Sequence, residues 1–586
     1  MKTLRFYVFT LVLGVAMVAC GDDEATPAAG SGKISTALLE YVPGDSPYVF
    51  AALEPQPAAL QEKSEPMLEM AVDQYHNLFL QARAAMTKGD DESASDDLLN
   101  VLDVLIEETE DGDLSGLGFD SKKDVPVVYG HGLLPVVRMT ISDPDAWAST
   151  YARLTADLEN APTKITVDGL DIDVFGGDAP AQIFIAQQDG TVALSLGPAN
   201  LEPAIIGELM GATKPAESIV DSGVLAAVSQ RYGLTPQMQG FVDFTKVFGM
   251  LQASGNPIND ALFGSAPTLP LELEEVCSQE MTGLVQIMPR MVVGATRIDE
   301  QGTDTLVVFE MREDVATALK PIAGTMAGLS ASTSAALKLG GAINLLGLRN
   351  WVETSLGAAA ESPFECEQLV PLNEMVAQAV GATQQQLPPI VYNLQGYSIE
   401  IGSFEGMEGI AEQQIPENLE LDLTVGFKNV EGLLMMGQMM APQLAELALE
   451  PNGEAVPIPD GLTGPIPIDG FMAMTDDLIS LSIGEDAASR AEARATATVD
   501  GETPLLTRMD IDAGAYFKFI AEVSESAMSP MMESDSLPED QREMLESQQA
   551  NMRAMAEAYE AVLDRLSFEV VLTDRGLEIP ATATFK

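Results

Sequence analysis

Few residues of this chain could act as nucleophiles, metal ligands or general bases near neutral pH. Its 586 residues include two histidines, His76 and His131, and three cysteines. A metal site built on three histidines is therefore excluded, and histidine-based acid–base catalysis has few candidates. The chain also has no Gly-x-Ser-x-Gly elbow, P-loop or dinucleotide fingerprint.

The motif Gly-Asp-Ser-Pro at 44–47 invites comparison with serine hydrolases that carry their nucleophile in Gly-Asp-Ser. Asp73 and His76 supply an Asp-x-x-His farther along the chain. In those hydrolases the Asp and His lie near the end of the domain, whereas here they follow the serine closely. Pro43 and Pro47 frame the motif, which favours a turn over a nucleophile.

An acidic stretch resembles the first half of a calcium-binding loop. Asp111, Asp113 and Ser115 stand at positions 1, 3 and 5, and Gly116 stands at position 6. The bidentate acid expected at position 12 is replaced by Lys122, which removes two ligand oxygens and adds a positive charge. These three residues are weak metal candidates, and we predict no metal or other cofactor.

Methionine clusters are the other possible metal ligands, since thioethers bind Cu(I). Met435, Met436, Met439 and Met440 form one cluster, and Met528, Met531 and Met532 form another. Leucines accompany the first cluster, which favours adaptable core packing over copper binding.

The N-terminus predicts export of the protein and its attachment to a membrane. Lys2 and Arg5 precede an apolar run at 6–19 that is too short to span a membrane. The residues before Cys20 resemble the lipobox of bacterial lipoproteins, although Met17 stands where leucine is usual. The resemblance implies a signal peptide at 1–19, removed on export, and a lipid such as palmitate on Cys20.

Residues 20–35 are rich in Gly, Ala, Pro and acids and predict a flexible acidic tether. By resemblance to enteric sorting rules, Gly21 after the cysteine favours the outer membrane of a Gram-negative envelope. The expected location faces the periplasm, and exposure at the cell surface stays open.

Removing Cys20 from the count leaves Cys277 and Cys366, both in polar surroundings that suggest exposure. Such a pair usually oxidises outside the cytoplasm, so we predict a Cys277–Cys366 disulfide. Two separate buried thiols are the alternative.

The charge balance restricts the partners. The chain has 30 basic and 89 acidic residues, a net charge of −59. Such a surface repels nucleic acid and anionic lipid head groups. The expected partners are the membrane, through the lipid on Cys20, and a protein or an apolar ligand.

Segments of the first half recur in the same order in the second half, which predicts an internal duplication. Alternating apolar runs that end at glycine predict strands, and the segments between them predict helices. We expect two α+β domains, at 36–314 and 315–586, each an antiparallel sheet with helices on one face. The paired segments are 124–132 with 388–396, 136–147 with 419–432, 167–175 with 459–468, 192–202 with 479–489, 241–251 with 510–520 and 292–311 with 568–585.

The stretch "LLEYVPGDSPYVFAALEP" at 38–55, the length and the lipoprotein start resemble a bacterial family called domain of unknown function 3352. The resemblance implies no activity and no catalytic residues. The favoured hypothesis is a non-enzymatic envelope scaffold or interaction module. The alternative is a periplasmic carrier that holds an apolar ligand or lipid between sheet and helices. A carboxylate-based enzyme is neither supported nor excluded, because spacing cannot select a pair among 89 acids.

Overall fold

In the computed structural model the chain divides into two compact units, unit 1 up to Val307 and unit 2 from Val308. The predicted signal peptide and tether lie outside the described residues. Among the described residues, no helix is long and apolar enough to cross a membrane. The structure describes residues 36–88, 96–110, 112–120, 122–156, 158, 161–177, 181–252, 256–265, 273–385, 388–404, 419–440, 444, 447–459, 470–498, 503–532 and 539–586.

Unit 1 is built on an antiparallel sheet with the strand order β9-β8-β1-β2-β3-β7-β6-β5-β4. A further strand, β10 (Gly302–Glu310), pairs with β9. The strands are β1 (Tyr48–Ala51), β2 (Pro126–His131), β3 (Leu134–Thr140), β4 (Thr163–Val167), β5 (Leu170–Phe175), β6 (Ala181–Gln188), β7 (Thr191–Pro198), β8 (Gln239–Asp243) and β9 (Arg290–Asp299).

Two hairpins of this sheet use Asp-Gly turns. Asp168 and Gly169 join β4 to β5, and Asp189 and Gly190 join β6 to β7. All four residues have positive φ, between 46° and 87°. This backbone matches the right-handed twist of paired strands, so the local sequence fixes these registers.

Helices of unit 1 lie on both faces of its sheet, and the expectation of one covered face is wrong here. On one face Val128 and Val137 pack in a core with Trp147 of α3 and Val72 of α1. On the other face Arg138 approaches Gly211, which ends α4. The helices are α1 (Ala58–Lys88), α2 (Asp96–Glu108), α3 (Pro144–Ala156), α4 (Pro203–Met210), α5 (Ile219–Ser222), α6 (Val224–Tyr232), α7 (Phe244–Gln252), α8 (Pro257–Ser265) and α9 (Glu275–Ile287).

Unit 2 is built on an antiparallel sheet with the strand order β19-β18-β17-β11-β12-β13-β16-β15-β14. The strands are β11 (Leu337–Ala342), β12 (Leu394–Ile401), β13 (Leu421–Phe427), β14 (Val456–Pro457), β15 (Gly470–Met474), β16 (Leu478–Ile483), β17 (Thr507–Asp512), β18 (Leu563–Thr573) and β19 (Gly576–Phe585). The helices are α10 (Glu313–Leu319), α11 (Leu345–Trp351), α12 (Gly357–Glu361), α13 (Val370–Thr383), α14 (Val430–Met440), α15 (Ala487–Ala495), α16 (Ala513–Met532) and α17 (Glu539–Val562).

The two strand orders match position by position, from β9 and β18 at one end to β5 and β14 at the other. Helices follow equivalent strands, as α4 follows β7 and α15 follows β16. One of the paired segments does not fit, because residues Pro389–Asn393 form a 3₁₀ helix and not a counterpart of β2. Most of segment 459–468 lies outside the described residues. Both units combine an antiparallel sheet with helices, so the predicted α+β class is confirmed for each.

Candidate functional site

The serine motif at 44–47 does not assemble a catalytic pair with His76. Ser46 is 1% exposed, and its Oγ lies 2.6 Å from the carbonyl oxygen of Gly130, to which it donates. The Nδ1 atom of His76 lies 3.1 Å from Oγ1 of Thr109. Each side chain is thus engaged locally, in agreement with the turn interpretation of the motif.

The calcium-like stretch forms a local turn. The Oδ1 atom of Asp113 accepts hydrogen bonds from the backbone N and the Oγ of Ser115, at 2.9 and 2.7 Å. Asp111 lies outside the described residues, and Lys122 reaches Glu65 at 3.5 Å. Among the residues that the structure describes, no group of three His, Cys, Asp or Glu side chains could hold a metal ion.

The cysteines differ from their expected surroundings. Cys277 in α9 and Cys366 before α13 are buried, at 5% and 1% exposure, and not exposed as their neighbours suggested. Neither sulfur is a free thiol. Cys20 lies outside the described residues, so its lipidation stays a prediction.

The first methionine cluster is not core. Met435 is 54% exposed and Met439 is 79% exposed, so the core interpretation is wrong for these two. The leucines beside them do pack, since Leu433 and Leu434 contact the cluster around Val430. Met528 in the second cluster is buried.

The most unusual feature is a row of polar side chains on one face of the unit 2 sheet, here called the polar row. Its members stand directly opposite one another on six adjacent strands. Five of them are at most 6% exposed. The row is Ser567, Asp510, Lys338, Glu400, Asp422 and Ser482.

The charges of the polar row are paired. Glu400 lies 3.6 Å from the Nζ of Lys338 and 2.6 Å from the Nη2 of Arg494, while Lys338 also donates to the carbonyl oxygens of Gly328 and Ala331. Burial lowers the pKa of Lys338, and the Glu400 carboxylate acts in the opposite direction. Lys338 and Glu400 are thus both buried and lie next to opposite charges. The polar row therefore forms a buried ion-pair network.

Arginines extend the network at both ends of the row. Arg490 and Arg494 of α15 approach Asp422 at 3.0 and 3.7 Å. On β17, Arg508 bridges Asp510 at 2.7 Å and Glu569 at 2.6 Å. The opposed charges offset one another, so the network is close to neutral although the chain as a whole is strongly acidic.

Two serine hydroxyls on this face have no partner among the described residues. The Oγ atoms of Ser482 and Ser398 are buried and make no hydrogen bond.

Spacing along the sequence could not identify the residues of the polar row, but the alternation of residue types in two strands was a signal of it. In β13 and β16, apolar and polar residues alternate through "LDLTVGF" and "LISLSI", which identifies a polar face without saying that it is the buried one.

The opposite face of the sheet is apolar and partly exposed on four of these strands, β11, β12, β13 and β16. This surface is called here the open face. Its side chains are half-buried except Tyr397, which is 43% exposed. Register places them in three adjacent rows, Leu337–Ile401–Leu421–Ile483, Leu339–Ile399–Leu423–Leu481 and Gly341–Tyr397–Val425–Ile479.

Two concave regions lie elsewhere. In unit 1 an apolar pocket of about 280 Å³ lies between the start of the described chain and helices α5 and α6. In unit 2 an open depression of about 410 Å³ is lined by Glu420, Glu485 and Asp486, with Arg490 beside them. The apolar pocket is lined by Thr36, Leu39, Leu53, Ile219, Val220, Leu225, Ala226, Ser229, Leu234, Pro236 and Gln239.

Comparison with protein families, with curated proteins and with solved structures finds no match to this chain.

Proposed function

We propose that this chain is a lipid-anchored protein of the cell envelope that acts by binding and not by catalysis. The observation that carries this proposal is the open face of unit 2. Eleven apolar side chains in three adjacent rows keep part of their surface in water. Contiguous apolar surface of this kind is typical of interaction sites, because leaving it hydrated costs free energy that a partner would recover.

The equivalent positions of unit 1 support this interpretation. Leu339, Ile399 and Leu423 of the open face correspond in strand order and register to Phe50, Val128 and Val137. In unit 1 these three side chains pack against the core that holds Trp147. The same sheet face is thus closed by the chain's own helices in unit 1, and stays partly open in unit 2.

Nile red fluorescence with the full chain tests the binding surface. We expect the Leu481→Gln variant to lower the fluorescence enhancement, because it places an amide within the open face. Leu194→Gln is the matched control, since Leu194 is the half-buried equivalent in β7 of unit 1. Equal enhancement in the wild type and the Leu481→Gln variant, with both folded by circular dichroism, would overturn the proposal.

The anchor needs its own experiment. Cells labelled with an alkyne analogue of palmitate should yield a labelled chain that fractionates with membranes. The Cys20→Ser variant should be unlabelled and released by osmotic shock. A labelled Cys20→Ser variant would place the lipid elsewhere, and an unlabelled wild type would exclude the lipid anchor. By its resemblance to enteric sorting rules, Gly21 favours the outer membrane of a Gram-negative cell on the side facing the periplasm, and exposure at the cell surface stays open.

We also propose that the two units arose by internal duplication. The matching strand orders and the helices that follow equivalent strands support it. The segments "VALSLG" and "ISLSIG" occupy β7 and β16, which are equivalent in the two orders. The resemblance of residues 38–55 to domain of unknown function 3352 stays part of this proposal and adds no activity.

A second candidate function is that of a carrier for an apolar ligand. The apolar pocket of unit 1 supports it, because the pocket lies between the sheet and helices α5 and α6 and is lined mainly by aliphatic side chains. Native mass spectrometry of the chain purified without detergent exchange tests it. A stoichiometric co-purified lipid that is released on denaturation supports the carrier, and a ligand-free chain favours the interaction module.

A further inference from the structure

The apolar pocket of unit 1 contains one buried amide with unused hydrogen-bonding capacity. Gln239 of β8 lines the pocket and is 7% exposed. Its Oε1 atom accepts a hydrogen bond from the hydroxyl of Ser229, which also lines the pocket. Among the described residues, no acceptor receives a hydrogen bond from the Nε2 atom of Gln239. A buried N–H without an acceptor costs free energy, which a bound acceptor would recover.

The hydroxyl of Ser229 cannot satisfy this amide. It carries one hydrogen, and its Oγ atom also lies 2.9 Å from the carbonyl oxygen of Leu225, to which it donates. The amide nitrogen of Gln239 carries two hydrogens, and Ser229 could accept at most one of them in either orientation of the amide. At least one N–H of Gln239 therefore has no acceptor among the described residues.

The equivalent position of unit 2 is fully engaged. Strand order and register align Gln239 with Arg508 of β17. Arg508 donates to Asp510 and Glu569, at 2.7 and 2.6 Å. The free amide is thus a property of unit 1 and not of the sheet topology that the two units share.

The pocket has room for a small molecule and an entrance. Its volume is about 280 Å³. Since an apolar cavity of about 150 Å³ engineered in another protein holds one benzene ring, this volume suits a molecule of about ten carbon atoms. Ile219 and Leu225, at 1% and 3% exposure, form a buried wall of the pocket, whereas Val220, at 42% exposure, lies at its mouth.

The lining of the pocket disfavours charged ligands. None of the described residues that line it is Asp, Glu, Lys, Arg or His. A carboxylate or an ammonium group would lose its hydration there without gaining a counter-ion. The net charge of −59 also repels anions. The pocket therefore favours a neutral molecule that offers an acceptor oxygen to Gln239.

We propose that the apolar pocket of unit 1 binds a neutral apolar molecule of about ten carbon atoms through one carbonyl oxygen. The oxygen accepts a hydrogen bond from the Nε2 atom of Gln239. The rest of the molecule packs against the aliphatic side chains of the lining, which include Leu39, Leu53 and Leu234. This inference rests on the carrier function proposed above and names the chemical class of its ligand.

Equilibrium dialysis with three probes of one ten-carbon size tests the inference. Butyrophenone carries the carbonyl group, butylbenzene has a methylene in its place, and 4-phenylbutyrate carries a carboxylate. The protein is the full chain with the Cys20→Ser change, which removes the proposed lipid as a competitor. We expect the two neutral probes to bind one per chain and 4-phenylbutyrate to bind about hundredfold or more weakly than butyrophenone.

Gln239→Leu keeps about the same volume and removes the amide. It should lower the affinity for butyrophenone relative to butylbenzene by about tenfold. Gln182→Leu on β6 is the matched control, because the Nε2 atom of Gln182 already donates to the carbonyl oxygen of Gly177. It should leave the ratio of the two affinities unchanged. Val220→Trp narrows the mouth of the pocket from an exposed position and should weaken both neutral probes by about tenfold, even should Gln239→Leu fail to fold.

The outcomes separate this inference from the carrier function. A wild-type ratio of the butyrophenone and butylbenzene affinities in Gln239→Leu would overturn the inference and leave the carrier function standing. Equal affinity for butyrophenone and 4-phenylbutyrate, or wild-type binding of butyrophenone in Val220→Trp, would also overturn it. If neither neutral probe binds, the inference and the carrier function fail together.

Discussion

The row of sheet positions that is charged in unit 2 is almost entirely apolar in unit 1. Strand order and register align the polar row with positions of unit 1 that are at most 5% exposed. The aligned residues of unit 1 are Val292, Phe241, Val49, Tyr129, Val136 and Ser195. One sheet topology therefore tolerates two kinds of buried row, provided that each buried charge in the second kind has a partner.

The charged row also shows what the pairing requires. Glu400 and Asp422 stand on adjacent strands as directly opposite like charges, an arrangement that is unfavourable by itself. Two cations offset this repulsion: Lys338 is paired with Glu400, and Arg494 contacts both carboxylates. In unit 1 the equivalent pair is Tyr129 and Val136, and Val136 has an aliphatic side chain that needs no counter-ion. A buried cation on the same face of β3, Arg138, stands two residues along the strand.

Placing an acid in the apolar row should have the largest effect. We expect Val136→Asp to destabilise unit 1 by about 5 kcal/mol, because it replaces an aliphatic side chain by a carboxyl at a position that is 0% exposed. Differential scanning calorimetry measures the change. Val136→Thr, which exchanges one methyl group for a hydroxyl, should cost about 1–3 kcal/mol. A melting temperature of Val136→Asp close to that of wild type would show that the two rows do not differ in this way.

Breaking the charged row from the acidic side should have the next largest effect. Glu400→Leu leaves Lys338 buried without its carboxylate and should cost about 3–5 kcal/mol. The double variant Lys338→Met/Glu400→Leu should be more stable than Glu400→Leu alone, because it removes the stranded charge together with its partner. Calorimetry of both variants and of Lys338→Met gives the coupling energy, and additive losses would argue against a pair in the folded protein.

The two aligned serines provide a smaller and sharper comparison. Ser195 donates to the carbonyl oxygen of Pro135 at 2.8 Å, whereas Ser482 makes no hydrogen bond among the described residues. Ser195→Ala should therefore cost about 0.5–1.5 kcal/mol, and Ser482→Ala should be neutral or stabilising. Equal losses in calorimetry would indicate that Ser482 has a partner in solution.

The smallest expected effect concerns pH and His131, the last residue of β2. Burial lowers the pKa of His131, and Glu208 and Asp45 partly offset this. Between this lowered pKa and the ordinary value of about 6.5, the unfolded chain binds more protons than the folded one. Stability therefore rises with pH through this window and falls as the pH drops below about 6.5.

Melting temperatures between pH 5 and pH 8 check the His131 prediction. His131→Gln should flatten the dependence in this window. Glu208→Gln should steepen it, because it removes the closest opposing charge, 3.8 Å from Nε2. A wild-type profile that His131→Gln leaves unchanged would assign the pH dependence to other groups.

Local sequence patterns predicted many of the strands and the positions of the turns. Alternation in "VALSLG" and "ISLSIG" predicted strands, and the structure forms β7 and β16 there. In unit 2 the polar side of this alternation is the buried one. Ser480 and Ser482 are at most 1% exposed, while Leu481 between them is only half-buried. Alternation identifies two faces but not which of them is covered.

The sequence also could not identify the candidate sites. Lys338, Glu400 and Asp422 are far apart along the chain, and only strand pairing brings them together. The methionines Met435 and Met439 show the same limit, since helical spacing did not reveal that their face is exposed.

The sequence by itself determined the acidic charge balance, the α+β class and a candidate lipid-attachment cysteine, because these depend on composition and on neighbours along the chain. The tertiary structure alone decided which sheet face is buried and which charges are paired. The physical reason is that the free energy of a buried charge depends on partners within about 4 Å, and strand pairing brings those partners from distant parts of the chain.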